Sequence, residues 1–140
     1  MTAGYSGTPL AKKLGVVAGS TLALIAAPPG WRVPELPPEV RITRAGFSSS
    51  VVSRVDVVVG FCRSRSDVEK LAALALSLRY GSALWVAWPR KAAGHISDIT
   101  DNVLRDVLLP TGVVDVKVAA LDDDWSGLKF VWRKENRPAD

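Results

Sequence analysis

The sequence predicts a single α/β domain with a mostly parallel sheet, and three observations carry that prediction. Residues 81–89, GSALWVAWP, are apolar almost throughout, which is typical of a central strand buried on both faces. Residues 55–61, VDVVVGF, have the same character. Helix signals lie between these two runs and again after the second, so strands and helices alternate as they do in parallel sheets.

Elements in the first part of the chain are short. Thr8 and Pro9 predict a helix start and Gly15 a stop, which places a helix over residues 9–14. A first strand is expected over residues 20–26, followed by the turn APPGW at 27–31 and an extended proline-rich run at 34–38. An edge strand over 40–44 and a helical turn capped by the serines at 48–50 complete this part.

The second part has the stronger helix signals. Residues 66–69, SDVE, read as a capping box that opens a helix running to Gly81. Thr100 caps the last main helix, which ends near Pro110. Two final strands, over 114–121 and 128–133, are expected to be joined by a DDDWSG turn at 122–127, which adds one antiparallel strand.

Composition limits the function classes. The chain has 140 residues and 48% hydrophobic content, which fits one domain (residues 1–134) with a charged tail at 135–140. With only one cysteine and one histidine, an intrachain disulfide and a four-ligand cysteine–histidine zinc site are excluded, and we predict no metal, no cofactor and a cytoplasmic location. No stretch is long enough to span a membrane.

Basic residues exceed acidic ones, and the net charge is +4. The arginines of the first half (Arg32, Arg41, Arg44, Arg54, Arg63, Arg65) stand singly, without a tract or interleaved aromatic residues. Nucleic acid binding is therefore not expected, and a solvated basic face is the simpler interpretation.

The element order predicts a Rossmann-like, three-layer sandwich that ends in a β-hairpin, as methyltransferase folds do. In such sheets, ligands lie beyond the carboxyl ends of the strands. A dinucleotide or S-adenosylmethionine site needs a glycine-rich turn after the first strand. This chain has APPGW there, and no glycine-rich phosphate motif occurs elsewhere. The sequence therefore argues against an ordinary nucleotide or S-adenosylmethionine site.

Two stretches hold candidate ligand-binding residues. After the central strand, Trp88 offers a flat face and Arg90 and Lys91 offer positive charge, although these side chains could equally cover the strand end and be solvated. In the hairpin, Asp115 and Lys117 are two residues apart, which places them on one face of a strand, where they would either form a salt bridge or flank a ligand. The candidate set is Trp88, Arg90, Lys91, Asp115, Lys117, Trp125 and Ser126.

Cysteine chemistry is a weak alternative. Cys62 and His95 follow strands that we expect to be neighbours, so a thiol–imidazole pair oriented by Asp98 is conceivable. The acidic triplet at 122–124 lacks the spacing of a calcium loop and is expected to be a solvated turn.

Four blocks of the sequence resemble a known family: GYSGTPLAKKLG at 4–15, APPGW at 27–31, LWVAWPRKAAG at 84–94 and VDVKVAALDDDWSGLKFVWR at 114–133. They are similar to the small bacterial proteins grouped as domain of unknown function 3052. The resemblance implies a soluble cytoplasmic α/β domain without an assigned activity. It suggests as signature positions Gly7, Thr8, Trp88, Pro89, Lys91, Asp115, Lys117, Trp125 and Ser126.

Our leading functional prediction from the sequence is a non-catalytic regulatory or protein-interaction domain, with a protein partner or a second copy bound. Its basis is the missing glycine-rich turn and the absence of an acid–base constellation. The alternative is an enzyme or sensor that binds a small anionic, nucleotide-like ligand at the carboxyl ends of the central strands, held by Arg90, Lys91 and Lys117 with Trp88 stacked against it.

Overall fold

The computed structural model describes residues 8–136 and contains one six-stranded sheet. The strands are β1 (Thr21–Ile25), β2 (Arg41–Ala45), β3 (Val57–Phe61), β4 (Ala83–Pro89), β5 (Val113–Ala120) and β6 (Trp125–Trp132). Their order across the sheet is β2-β1-β3-β4-β6-β5, and β6 alone runs opposite to the other five strands. The predicted fold class, a mostly parallel sheet that ends in a hairpin, is confirmed.

Three helices accompany the sheet: α1 (Leu10–Leu14), α2 (Arg65–Ala75) and α3 (Asp101–Leu108). Helices α2 and α3 pack on one face of the sheet, over a core that includes Val58, Val86 and Trp88. The other face is covered more thinly, by α1 and the irregular segment 27–40, over a core that includes Trp85. Both faces are thus closed, as the predicted sandwich requires, but coil replaces a long helix in one layer.

Strand β4 lies inside the sheet, as its uniform apolar sequence predicts. It pairs in parallel with β3 and antiparallel with β6, and residues 83–88 are all buried. Alternate side chains point to opposite faces, so Trp85 packs into one core and Trp88 into the other.

Helix α2 begins earlier than the sequence predicts. Its N-cap is Ser64, whose hydroxyl accepts a hydrogen bond from the Asp67 backbone N–H at 3.3 Å. The Asp67 carboxylate in turn accepts from the Arg63 backbone N–H at 2.9 Å. The predicted capping box of Ser66 and Glu69 is therefore wrong, because an equivalent serine–carboxylate pair two residues upstream satisfies the first turn. At α3 the predicted N-cap residue is confirmed, since the Thr100 hydroxyl accepts a hydrogen bond from the Val103 backbone N–H at 3.2 Å.

The hairpin turn is shorter than predicted. Trp125, Ser126 and Gly127 belong to β6 and pair with the end of β4, which leaves residues 121–124 between β5 and β6. The Asp122 carboxylate holds this turn closed, because its Oδ1 accepts from the backbone N–H groups of Asp124 and Trp125, each at 2.8 Å. Such hydrogen bonds between an aspartate side chain and the backbone stabilise a short turn.

The chain ends are only partly described. Helix α1 begins at Leu10, one residue later than predicted, because Pro9 and not Thr8 is its N-cap residue; the stop at Gly15, which is left-handed, is confirmed. The signature position Gly7 lies outside the described residues. Of the predicted tail, residues 135 and 136 belong to the 3-10 turn Lys134–Asn136, and residues 137–140 lie outside the described part. The division into a domain and a tail stays a prediction.

Asp56 ties the amino ends of β1 and β3 together, and this gives a prediction of pH dependence. Its Oδ2 accepts hydrogen bonds from the backbone N–H and the hydroxyl of Thr21, at 2.9 and 3.0 Å, and Arg79 pairs with Oδ1. These bonds, the backbone one foremost, lower the pKa of Asp56. A lowered folded-state pKa stabilises the fold above the unfolded pKa, near 4, and this contribution is lost as the pH falls through the folded-state value.

We therefore expect Asp56→Asn to lower the free energy of unfolding at pH 7 and to have a shrinking effect below about pH 4. Urea unfolding of both proteins from pH 7 to pH 3 measures the difference. A difference that is independent of pH would show that the Asp56 charge does not contribute.

Candidate ligand-binding site

The order in which the strands are added to the sheet changes direction between β1 and β3. From β1 the chain crosses to β2 on one side, and β3 then returns to the other side of β1. Residues 31–40 of the β1–β2 connection pack on the α1 face, whereas helix α2 follows β3 on the opposite face. The two connections therefore diverge at the carboxyl ends of β1 and β3, and such switch points are where open α/β sheets bind ligands.

A cavity of about 430 Å³ opens beside this point. We call it the strand-edge cavity, and it is lined by Pro28, Arg63, Pro89, His95, Asp124 and Trp125. Its residues come from the connections after β1, β3 and β4, from the end of β4, from the β5–β6 turn and from the start of β6. The volume lies within the range that small-molecule sites occupy.

Arg63 contributes positive charge to the strand-edge cavity. Its Nη1 donates to the Ala26 carbonyl at 3.0 Å, across the switch point, and its guanidinium carbon lies 5.3 Å from the ring centroid of Trp125. A guanidinium has five donors, and the single side-chain bond above uses one of them. Arg63 is therefore held by two contacts, and the bond to Ala26 leaves four of its five N–H donors unused.

Aromatic rings form the floor beneath this region. Phe61 contacts Trp31 edge-on at a centroid distance of 4.8 Å and contacts Trp125 edge-on at 5.0 Å. The Trp31 indole donates to Asp122 Oδ2 at 2.8 Å, so Asp122 fixes both Trp31 and the hairpin turn. The acidic triplet is therefore a structural support for the cavity, beyond the solvated turn that we expected.

His95 and Asp124 pair at the rim. His95 Nε2 lies 3.0 Å from Asp124 Oδ1, and both side chains are exposed. The Asp124 carbonyl also accepts from the Arg90 backbone N–H at 2.9 Å, which ties the hairpin turn to the end of β4. This rim presents an imidazole and a carboxylate to the cavity.

A second cavity, of about 360 Å³, lies on the α3 face of the sheet. It collects four of the seven predicted site residues, Trp88, Arg90, Lys91 and Ser126, beside Thr100 and Asp101. The Arg90 guanidinium donates to the carbonyls of Asp122 and Asp123 at 3.2 and 3.4 Å, and these bonds stabilise the β5–β6 turn. Trp125 lines the strand-edge cavity instead, because it lies on the opposite face from Ser126.

Asp115 and Lys117 do not share a face. A bulge between them shifts the register of β5, so Asp115 pairs with Phe130 and Lys117 with Lys129. Asp115 accepts from Arg105 of α3 at 3.1 Å. On the α1 face, burial and then the nearby ammonium of Lys117 lower the pKa of Lys13. Neither residue lines the two cavities described above. The prediction that they flank one ligand is wrong in its geometry, because the extra residue turns the chain over.

Cys62 is fully buried in the core on the α2 face, and this burial raises the pKa of its thiol. His95 is paired with Asp124, and the Asp98 carboxylate accepts from the Arg65 backbone N–H at 3.0 Å. A thiol–imidazole nucleophile therefore has no support. Among residues 8–136, no cluster of three or more potential metal ligands occurs, and no helix is long and apolar enough to cross a membrane.

The sequence matches no family model and no curated protein, so the resemblance to domain of unknown function 3052 stays a prediction. Solved structures do resemble the fold. Fibrillarin from Aeropyrum pernix, solved with bound S-adenosyl-L-methionine, matches with a TM-score of 0.59 and 16% identity, over 87% of this chain and 73% of that one. A SAM-dependent methyltransferase from Aquifex aeolicus matches with a TM-score of 0.56 and 11% identity, over 85% of each chain.

A third structure, the glycopeptide N-methyltransferase MtfA complexed with sinefungin, matches with a TM-score of 0.52 and 13% identity, over 88% of this chain and 90% of that one. The Rossmann-like fold of methyltransferases is thus established. These neighbours contradict our leading prediction of a non-catalytic regulatory or interaction domain. They favour the alternative, a ligand site at the carboxyl ends of the strands.

The turn after β1 does not fit S-adenosylmethionine in the way that a glycine-rich turn would. Pro28 and Pro29 have no N–H, while the backbone N–H groups of Ala26 and Trp31 already bond to the carbonyls of Ala45 and Pro28. Residues 45–47, at the end of β2, also lack a carboxylate for ribose hydroxyls. The amino-acid part of such a ligand would find few donors here.

Proposed function

We propose that this chain is an enzyme or sensor that binds a small anionic, nucleotide-like ligand in the strand-edge cavity. The observation that carries the proposal is Arg63, which is held at the switch point by Ala26 and stacked on Trp125 while other donors of its guanidinium stay available. Arginine in this setting is suited to phosphate, which it binds through two parallel hydrogen bonds.

The rest of the cavity supports the same ligand class. Pro28, Pro89 and Trp125 supply apolar surface against which a flat heterocycle would lie. Asp124 would accept a hydrogen bond from a ribose hydroxyl, a role that carboxylates fill in other nucleotide sites. Its charge is offset by the His95 imidazole at 3.0 Å when that ring is protonated.

S-adenosylmethionine is the competing ligand, because several neighbours in the fold comparison bind it or an analogue. Methyl transfer is accordingly the second candidate function. It shares with the first an adenosine-like portion at the strand ends and differs in the zwitterionic group, for which the β1 turn offers few donors.

Isothermal titration with AMP, adenosine and S-adenosylhomocysteine tests the proposal. We expect AMP to bind more tightly than adenosine and Arg63→Gln to weaken AMP binding by about tenfold or more, since hydrogen bonds to charged groups contribute about 1.5–3 kcal/mol. Adenosine, which has no phosphate, should be affected little.

Arg65→Gln is the matched control. Arg65 lies two residues away and is also exposed, but its guanidinium pairs with Glu69 at 3.7 Å and does not line the cavity. The Arg65→Gln variant should bind AMP as the unchanged protein does. Tight binding of S-adenosylhomocysteine without AMP binding would favour the methyltransferase candidate, and failure of all three compounds to bind would overturn the proposal.

A further inference from the structure

Three arginines from the first half of the chain line one cleft on the outer edge of the sheet. Arg41 and Arg44 lie on β2, the edge strand, and Arg54 ends the short 3-10 turn Val51–Arg54 that precedes β3. Together with Thr43 and Ser49 they line a cavity of about 380 Å³, which we call the β2 cleft.

Strand register explains why they converge. Arg41 and Thr43 pair with Thr21 and Ala23 of β1, and Ala23 belongs to the core on the α2 face. Arg54 approaches on that same face, since Val51 and Val52 of its turn pack into the same core. Arg44 points to the other face, where its Nη2 donates to the Trp31 carbonyl.

The charges in the β2 cleft are not balanced within the described chain. No acidic residue lines it. Within residues 8–136, the side chains of Arg41 and Arg54 have no hydrogen-bond or ion-pair partner. Asp56, which contacts the lining residue Thr21, is already committed to Arg79. Like charges around one cleft repel each other, and a bound anion would relieve that repulsion.

We propose that the β2 cleft binds a phosphate group, independently of the strand-edge cavity. Guanidinium groups from two elements can each donate two hydrogen bonds to phosphate oxygens, and the hydroxyl of Thr43 adds a further donor. The phosphate belongs either to a small phosphorylated compound or to the phosphodiester backbone of a nucleic acid strand, because both present the same oxygens to the cleft. In either case Arg41 and Arg54 supply the attraction.

The test uses the full chain and two probes, inorganic pyrophosphate and a single-stranded oligonucleotide. Whichever of the two probes the unchanged protein binds, the double variant Arg41→Gln/Arg54→Gln should bind it about tenfold or more weakly. The reason is that the variant lacks two charge-assisted donor groups. In NMR titrations of the Arg63→Gln variant, which lacks the phosphate-binding side chain of the strand-edge cavity, the Nε–H signals of Arg41 and Arg54 should still shift on binding.

The control variant Arg133→Gln/Lys134→Gln removes the same net charge from exposed positions at the end of β6, away from the cleft. It should bind as the unchanged protein does, apart from a small nonspecific loss. Pyrophosphate binding that only the cleft variant loses identifies a small phosphorylated ligand, and oligonucleotide binding with the same pattern identifies a phosphodiester chain. If neither probe binds, or if both variants lose affinity equally, the arginines merely protect the edge strand from pairing and the proposal is overturned.

Discussion

Replacing Trp85 by alanine is expected to lower the free energy of unfolding by about 3–5 kcal/mol, the cost typical of deleting a large buried aromatic side chain. Trp85 is fully buried at the middle of β4, in the core beneath α1. Its indole N–H donates to the Leu14 carbonyl at 3.2 Å, which anchors the end of α1 to the sheet. Since this face has only a short helix and coil above it, little structure is available to collapse into the cavity.

Trp85→Phe separates the contribution of the buried ring from that of the indole hydrogen bond. It keeps most of the ring and removes the donor, so we expect a loss of about 1–3 kcal/mol from the unsatisfied carbonyl and the smaller ring. Urea unfolding monitored by far-UV circular dichroism measures both variants. An alanine variant as stable as the phenylalanine variant would show that the ring volume does not matter and that the core has repacked.

The strength of local signals decided which parts of the fold could be predicted. β4 was found because an uninterrupted apolar run has few explanations other than a doubly buried strand. Thr100 was correctly identified as a cap, although Asp98 also precedes an acidic residue, Asp101, by three positions. At α2, Ser64 and Ser66 both precede an acidic residue by three positions, and nothing local distinguishes them.

Long-range geometry decided which parts of the candidate site could be predicted. Trp88, Arg90 and Lys91 follow one strand and stay together in the structure for that reason. Arg63 could have been found by the same rule, because it lies two residues after the end of β3, but it was counted only as a scattered basic residue. The separation of Asp115 from Lys117 could not be foreseen, because a bulge leaves no mark in the sequence VDVKV.

The functional prediction failed for a related reason. The missing glycine-rich turn after β1 is a local observation, and it speaks against one way of holding a cofactor. It does not speak against a ligand held by side chains from other strand ends. Arg63, His95 and Asp124 are brought to that edge by three separate connections, which no single stretch of sequence reveals.

Gly60 carries the second large stability prediction. It lies in β3 beneath α2, and a Cβ atom at this position would lie 2.4 and 2.6 Å from the two methyl carbons of Leu71. Leu71 is itself fully buried, so it cannot move aside without disturbing the core. Gly60→Ala should therefore lower the free energy of unfolding by about 1–3 kcal/mol, as overpacking does. Gly46→Ala is the matched control, because nothing lies within 4 Å of its added methyl group and its backbone is not left-handed.

A double-mutant cycle shows whether the contact with Leu71 is the cause. Leu71→Ala destabilises the core by itself, but it removes the methyl groups that the new Cβ would meet. In that background, Gly60→Ala should cost much less than it does alone, and the coupling should reach about 1 kcal/mol or more, as it does for residues in direct contact. Additive effects would mean that the glycine is needed for its backbone and not for the close approach of α2. Arg63 lies two residues after the end of β3 and two before the start of α2, so we expect a displaced α2 to displace the Arg63 side chain as well.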